Sequence, residues 1–208
     1  MDKPTLNYDS TSNRSPAFEE IIELWNYRDL LKMLISNSIK TRYKRSALGV
    51  VWTALSPLLT TLVLTIAFST LFRFNVENYP VYLLSGLIVW TYFSQTTLQG
   101  MNTLIWGSGL MKRIYLPKTI FTISVIGNGL VNFFLSLLPL LLIMIIVKQP
   151  IRWTIILLPF AVLIFTMFIM GLTLLISTIA VFFTDVIEIF RVLLMAWFYL
   201  TPIIYPID

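Results

Sequence analysis

Long apolar runs alternate with short polar connections along most of this chain. Four stretches carry no Asp, Glu, Lys or Arg: Ser46 to Phe72, Asn78 to Met111, Thr119 to Val147 and Trp153 to Thr184. Each exceeds the roughly 20 residues a helix needs to cross a hydrocarbon core of about 30 Å. A fifth run, Val192 to Ile207, becomes a span once Ile189 and Phe190 join it and Arg191 reaches its charge to the headgroups. The predicted spans are 50–72, 81–103, 120–146, 154–180 and 189–205 within a transmembrane domain over 48–208. Ahead of it, residues 1–15 are polar without periodicity and read as a disordered tail. Ser15-Pro16 then has the form of a helix start, followed by Glu19, Glu20 and Glu23 at the positive end of the dipole. Apolar positions from Phe18 through Ile35 recur at helical spacing, while Arg28, Asp29 and Lys32 fall on another face. Residues 16–47 are therefore an amphipathic, basic interface helix, lying on the membrane surface or against a soluble partner. The fold class is all-α integral membrane: one surface helix and five transmembrane helices.

Composition strengthens that reading. Of the 208 residues, 57% are hydrophobic and only 12% charged, half the roughly 25% charge of an ordinary globular chain. The mean hydropathy is +0.83. The net charge of +5 raises the question of nucleic acid, but its placement answers it. With the N-terminus in the cytoplasm, twelve of the 15 basic residues lie inside and three (Arg73, Lys148 and Arg152) lie outside. That is the positive-inside bias of a multi-pass membrane protein. The basic excess orients the chain, and no nucleic-acid partner is expected.

The spans lack the groups that most membrane chemistry requires. Ion- and proton-coupled carriers place ionisable side chains in the bilayer, and the four long runs have none. There is no His and no Cys, and no carboxylate cluster for a metal, so no catalytic and no metal-binding residues are expected. No GxxxxGK[ST] loop is present, so the chain binds no nucleotide itself and uphill transport would need another subunit. What the spans do hold is aromatic and uncharged polar. The second carries Trp90, Tyr92, Phe93, Ser94, Gln95, Thr96, Thr97, Gln99 and Asn102; the fifth carries Trp197, Phe198, Tyr199 and Thr201. Aromatic faces stack on sugar rings, and amides and hydroxyls bond them without charge. The same residues also collect at membrane interfaces and stitch helices together. Gly127-Asn128-Gly129 permits close helix approach or a kink, and Pro57, Pro139 and Pro159 lie inside predicted spans, where membrane helices tolerate them.

Three segments together resemble the permease subunits of type-2 ABC exporters, the branch exporting O-antigen, capsule and teichoic acid. Tyr27–Leu59 is similar to that family's opening: a surface helix, a basic patch, then an LGxxW element matched by Leu48, Gly49 and Trp52. Leu110–Ser124 resembles the loop between its second and third spans, and Phe182–Pro206 the passage around its fifth. The resemblance implies a permease homodimer bound to an ABC ATPase subunit, which would hold the ATP and Mg; this chain would hold no cofactor. It implies an ATPase-coupling loop at Gly109, Lys112, Arg113, Tyr115 and Pro117, and an N-terminal interface at Arg42, Tyr43 and Arg45 with Leu48, Gly49 and Trp52. It further implies an aromatic-lined path for a lipid-linked glycan, for which Trp90, Tyr92, Phe93, Gln95, Trp197 and Tyr199 are the candidates. Family members continue into a sixth span, and this sequence stops at Asp208; the expected fold is the family's without its last helix.

The resulting expectation is a multi-pass permease of the bacterial inner membrane exporting a polysaccharide, probed against export of a drug or lipid and against a non-transporting scaffold or channel. Single cysteines at positions 75 and 112 should react with an impermeant thiol reagent from opposite faces of the membrane; reaction from the same face would break the topology.

Overall fold

The computed structural model describes residues 24–44, 46, 48–72, 78–106, 118–150 and 152–205, and all regular structure among them is helical. In chain order these are α1 (Arg28–Tyr43), α2 (Val51–Phe72), α3 (Tyr79–Trp106), α4 (Lys118–Ile146), α5 (Leu158–Phe182) and α6 (Asp185–Leu200). A 3-10 turn, Trp153–Leu157, leads into α5. The expected tail and the Ser15-Pro16 helix start lie outside the described residues. Two helical stretches, Thr119–Ile146 and Trp153–Phe182, are long and apolar enough to cross a membrane, yet only 17% and 6% of their most apolar windows are buried. The core helix of a soluble protein hides such a surface. Here Leu163, Ile164, Met167 and Phe168 of α5 face outward, as they do in a protein whose solvent is lipid.

The centre of the bundle is α3, which packs on α2, α4, α5 and α6. Small residues set those distances. A Cβ added to Gly100 would fall inside the envelope of the Thr173 methyl on α5, and one added to Gly129 on α4 would meet Thr96 and stand 3.0 Å from the Tyr92 ring. Association in lipid relies on such close approach, because burying apolar surface gains little there. Gly127-Asn128-Gly129 is thus a site of close approach: α1 lays Ile35 over Gly127, and the Asn128 amide donates to Ser38 Oγ at 3.3 Å.

The helix ends follow from local chemistry. Gly49 takes φ +51 with nothing near its absent Cβ, so the backbone angle, not space, calls for glycine between α1 and α2. Its N–H donates to Ser46 Oγ at 3.1 Å. At the end of α4, Lys148 takes φ +57. Its N–H donates to the Ile145 carbonyl at 3.1 Å and that of Gln149 to Met144 at 2.9 Å, a Schellman closure followed at once by Pro150. Pro159 lies in the first turn of α5, where its fixed φ suits a helix start, and within the apolar stretch Trp153–Phe182.

Where proline or irregular backbone leaves a carbonyl without its helical donor, side chains of other helices serve several of them. Pro57 has no N–H for the Thr53 carbonyl, and Ser136 of α4 donates its hydroxyl there at 3.2 Å. Beyond α6, Thr201–Tyr205 leaves helical geometry at Pro202 and lies over the start of α3. The Tyr79 hydroxyl donates to Ile204 O at 2.7 Å. The Tyr82 hydroxyl stands 2.6 Å from Pro202 O and 3.0 Å from Tyr205 O. The 16 residues of α6 reach about 24 Å at 1.5 Å each, short of a ~30 Å core, so protein must serve these carbonyls.

Gly129→Val should lower the thermal midpoint of the detergent-solubilised protein, since overpacking at a closed contact costs about 1–3 kcal/mol. An unchanged midpoint would show that α3 and α4 do not approach here as described.

Candidate functional site

Three polar stripes meet beside α3. On α2 they are Thr53, Ser56 and Thr60; on α3, Thr91, Gln95 and Gln99; on α4, Asn128, Asn132 and Ser136. Spacings of three and four residues put each set on one helix face. Thr53, Ser56, Thr60, Thr91, Gln95, Asn132 and Ser136 line a groove of about 470 Å³, bounded by Trp52, Pro57 and Leu87. A smaller pocket of about 30 Å³ continues it to Gln99 beside Gly129.

Hydrogen bonding divides the polar side chains into two groups. Ser94, Thr97 and Thr103 donate to carbonyls four residues back at 2.8 Å each, and Asn102 does so at 2.9 Å. These are spent within α3. The side chains of Thr91, Gln95, Gln99 and Asn132 make no hydrogen bond to any described residue, and all four face the groove. Leaving one amide unpaired in an apolar medium costs about 2–7 kcal/mol, whereas an interhelical bond in a membrane returns about 0.6 on average. Packing alone does not explain four such groups together. The groove is a place for water or a neutral hydrogen-bonding ligand, and among the described residues no ionisable side chain lines it.

The opposite face of α3 is aromatic. Trp90, Phe93, Phe165, Phe168 and Trp197 line a second groove of about 500 Å³. Trp90 meets Phe93 at 5.6 Å and Trp197 at 6.3 Å between ring centroids, and Phe93 meets Trp197 at 5.4 Å. The six residues expected along one path therefore divide, with Tyr92 and Gln95 both lining the small pocket that continues the polar groove. Trp90, Phe93 and Trp197 share the aromatic groove, and Gln95 lies in the polar one. Tyr92 is buried against Phe133, ring centroids 5.4 Å apart, with its hydroxyl 2.9 Å from Thr166 Oγ1. Thr166 spends its own proton on Val162 O at 2.7 Å, so Tyr92 is the donor. Tyr199 is exposed beside Phe198.

Of the expected N-terminal interface, Leu48 and Trp52 are exposed and Trp52 borders the polar groove. Arg42 and Tyr43 are in the last turn of α1. Arg45 and the whole expected coupling loop, Gly109, Lys112, Arg113, Tyr115 and Pro117, lie outside the described residues. Sequence reasoning missed the α4 stripe. The signal was present: Asn128, Asn132 and Ser136 at i, i+4 and i+8 in an otherwise apolar helix.

Residues 29–208 match the family described as ABC-2 type transporter. The chain belongs to that family. The O-antigen export system permease protein RfbA of Myxococcus xanthus is 35% identical over 186 residues, covering 89% of this chain and 72% of that relative. A protein of the same name from Klebsiella pneumoniae is 30% identical over 186 residues, covering 86% of this chain and 70% of that relative. As an all-α ABC-2 membrane protein, the chain sets its polar groove among helices whose other faces meet lipid.

Ser136→Ala should lower the thermal midpoint, because it leaves the Thr53 carbonyl unserved. Asn132→Leu, a few ångströms away in the same groove, should leave it unchanged or raise it. Equal losses in both would mean that Asn132 is a structural stitch and the groove is not open.

Proposed function

We propose that this chain is the membrane-spanning permease of an ATP-driven exporter of O-antigen-type polysaccharide in the bacterial inner membrane. The observation that carries the reading is the similarity, at 35% identity over 89% of the chain, to a protein that bears that function in its name. The polar groove supports it physically. An exporter of a hydroxyl-rich chain needs acceptors and donors in the bilayer that do not trap their cargo by charge, and Gln95, Gln99, Asn132 and Thr91 are of that kind. The lipid carrier of the glycan stays with the acyl chains while the sugars use the groove.

The chain works as a homodimer, with an ABC ATPase supplying the energy its own sequence cannot. Its N-terminus is cytoplasmic, which puts the basic 112–118 connection on the side where ATP is. Lys112 and Arg113 dock on the ATPase with Gly109, Tyr115 and Pro117 shaping the loop, and Arg42, Tyr43 and Arg45 form a second contact at the foot of α1. α1 is suited to relay motion, because it is bonded to the membrane helices through Ser38 and Asn128.

A tagged chain expressed with its neighbouring ATPase should capture that subunit and restore surface polysaccharide. Lys112→Glu/Arg113→Glu should lose both while still reaching the membrane. Gln95→Leu/Asn132→Leu should keep the capture and lose the polysaccharide. Charge reversal that left capture and polysaccharide intact would sink the coupling assignment; full export by the groove variant would sink the path.

A further inference from the structure

A third cavity lies between α3, α4 and the start of α5, sharing Val89 and Phe165 with the aromatic groove and Tyr92 and Phe133 with the small polar pocket. It measures about 810 Å³, and its walls are apolar: Val89 and Tyr92 of α3, Phe133 and Met144 of α4, Ala161 and Phe165 of α5. Rings line its floor, with Tyr92 at 5.4 Å from Phe133 and 6.1 Å from Phe165 between centroids. Its mouth is polar: Gln149, Arg152 and Thr154. Along α3 the cavity runs from residue 81 to residue 92, about 16 Å of helix axis at 1.5 Å per residue. That depth is close to half of a ~30 Å hydrocarbon core, the share of one leaflet.

The mouth is held open and in register by backbone chemistry. Asn78, at φ +61, caps the start of α3 and donates its amide to Gln149 Oε1 at 2.5 Å. Gln149 is itself fixed by the closure that ends α4. Trp153, 87% exposed, stands beside the mouth as an interfacial anchor does. Lys148 and Arg152 are both exposed there, and neither has an ion-pair partner among the described residues. The described carboxylates are elsewhere. Asp29 is on α1, which packs near Gly127 and Asn128, and Asp185 and Glu188 open α6 after α5 has run the length of the bundle. Two cations without an ion-pair partner among the described residues stand over an acyl-sized slot, and an anionic lipid headgroup complements them.

We propose that this crevice binds an anionic glycerophospholipid, one acyl chain lying between α3, α4 and α5 and the phosphate held by Arg152 with Thr154. A zwitterionic lipid brings a cation to a site that already has two. A polyprenyl carrier is longer than the single leaflet that the crevice spans. The site is independent of what the protein exports.

The test uses the purified full chain in detergent with a phosphatidylglycerol analogue bearing a diazirine at its acyl terminus. Irradiation should label peptides containing Tyr92, Phe133 or Phe165, and unlabelled phosphatidylglycerol should compete while phosphatidylcholine does not. Arg152→Glu should weaken labelling about tenfold, the loss of one charge-assisted contact plus a repulsion. Arg152→Lys should retain most of it, which controls for folding. Ala161→Trp should block it by filling the slot. Equal competition by phosphatidylcholine, or label spread over α2 and α6, would reduce the crevice to ordinary annular lipid and overturn the proposal. Competition by a polyprenyl phosphate alone would reassign the site to the carrier of the export substrate.

Discussion

A carbonyl with no donor has nowhere to turn inside a bilayer, and this structure is arranged around that constraint. Most of the backbone satisfies itself by staying helical. The informative places are those where proline interrupts the ladder. Ser136 reaches the carbonyl that Pro57 leaves on Thr53, and Tyr79 and Tyr82 serve the irregular carbonyls of the Pro202 to Tyr205 stretch. Each donor comes from a different helix than its acceptor, so satisfying the backbone is also what ties the helices together. The tie from α3 to the stretch after α6 joins residues more than a hundred positions apart in sequence, 125 in the case of Tyr79 and Ile204.

The same constraint gives α3 two unlike faces. Its serine and threonine hydroxyls at 94, 97 and 103 return to the helix's own carbonyls, which lets them sit at apolar contacts. Gln95 and Gln99 have side chains too long to return in that way, and they meet Asn132 across a groove. Trp90 and Phe93 project to the other side, against Trp197 and Phe165. One helix thus divides a hydrogen-bonding compartment from an aromatic one, and neither contains a formal charge.

Much of the fold was legible because membrane thickness sets a length that apolar runs must meet. The helices α2, α3 and α5 fall in charge-free stretches and α4 overruns its own by one residue, Lys118, and Leu48-Gly49 marks the entry to α2 because a positive φ there wants glycine. The site was less legible. A one-dimensional pattern shows that α3 is polar, but not which hydroxyls are already spent, since that depends on rotamers. Nor does it show that Asn132 faces Gln95, a fact of the α3–α4 register set by Gly129. Hydropathy does not mark the start of α5, because the 3-10 turn before Pro159 is as apolar as the helix. The tyrosine ties were invisible for another reason: aromatic residues near a span end read first as interfacial anchors.

The Ser136 bond carries a consequence for the shape of the groove. Above and below Pro57, α2 is joined by a backbone missing one rung, and the foreign hydroxyl at that rung is 3.2 Å away. Bending α2 outward there breaks no bond of its own ladder; it gives up the Ser136 bond, worth about 0.6–1.7 kcal/mol in a membrane, and packing of α2 on α3 and α4. The other walls, α3 and α4, are locked by a glycine contact that tolerates no added methyl. Of the groove's three walls, α2 is therefore the one whose missing rung is filled by a serine on α4.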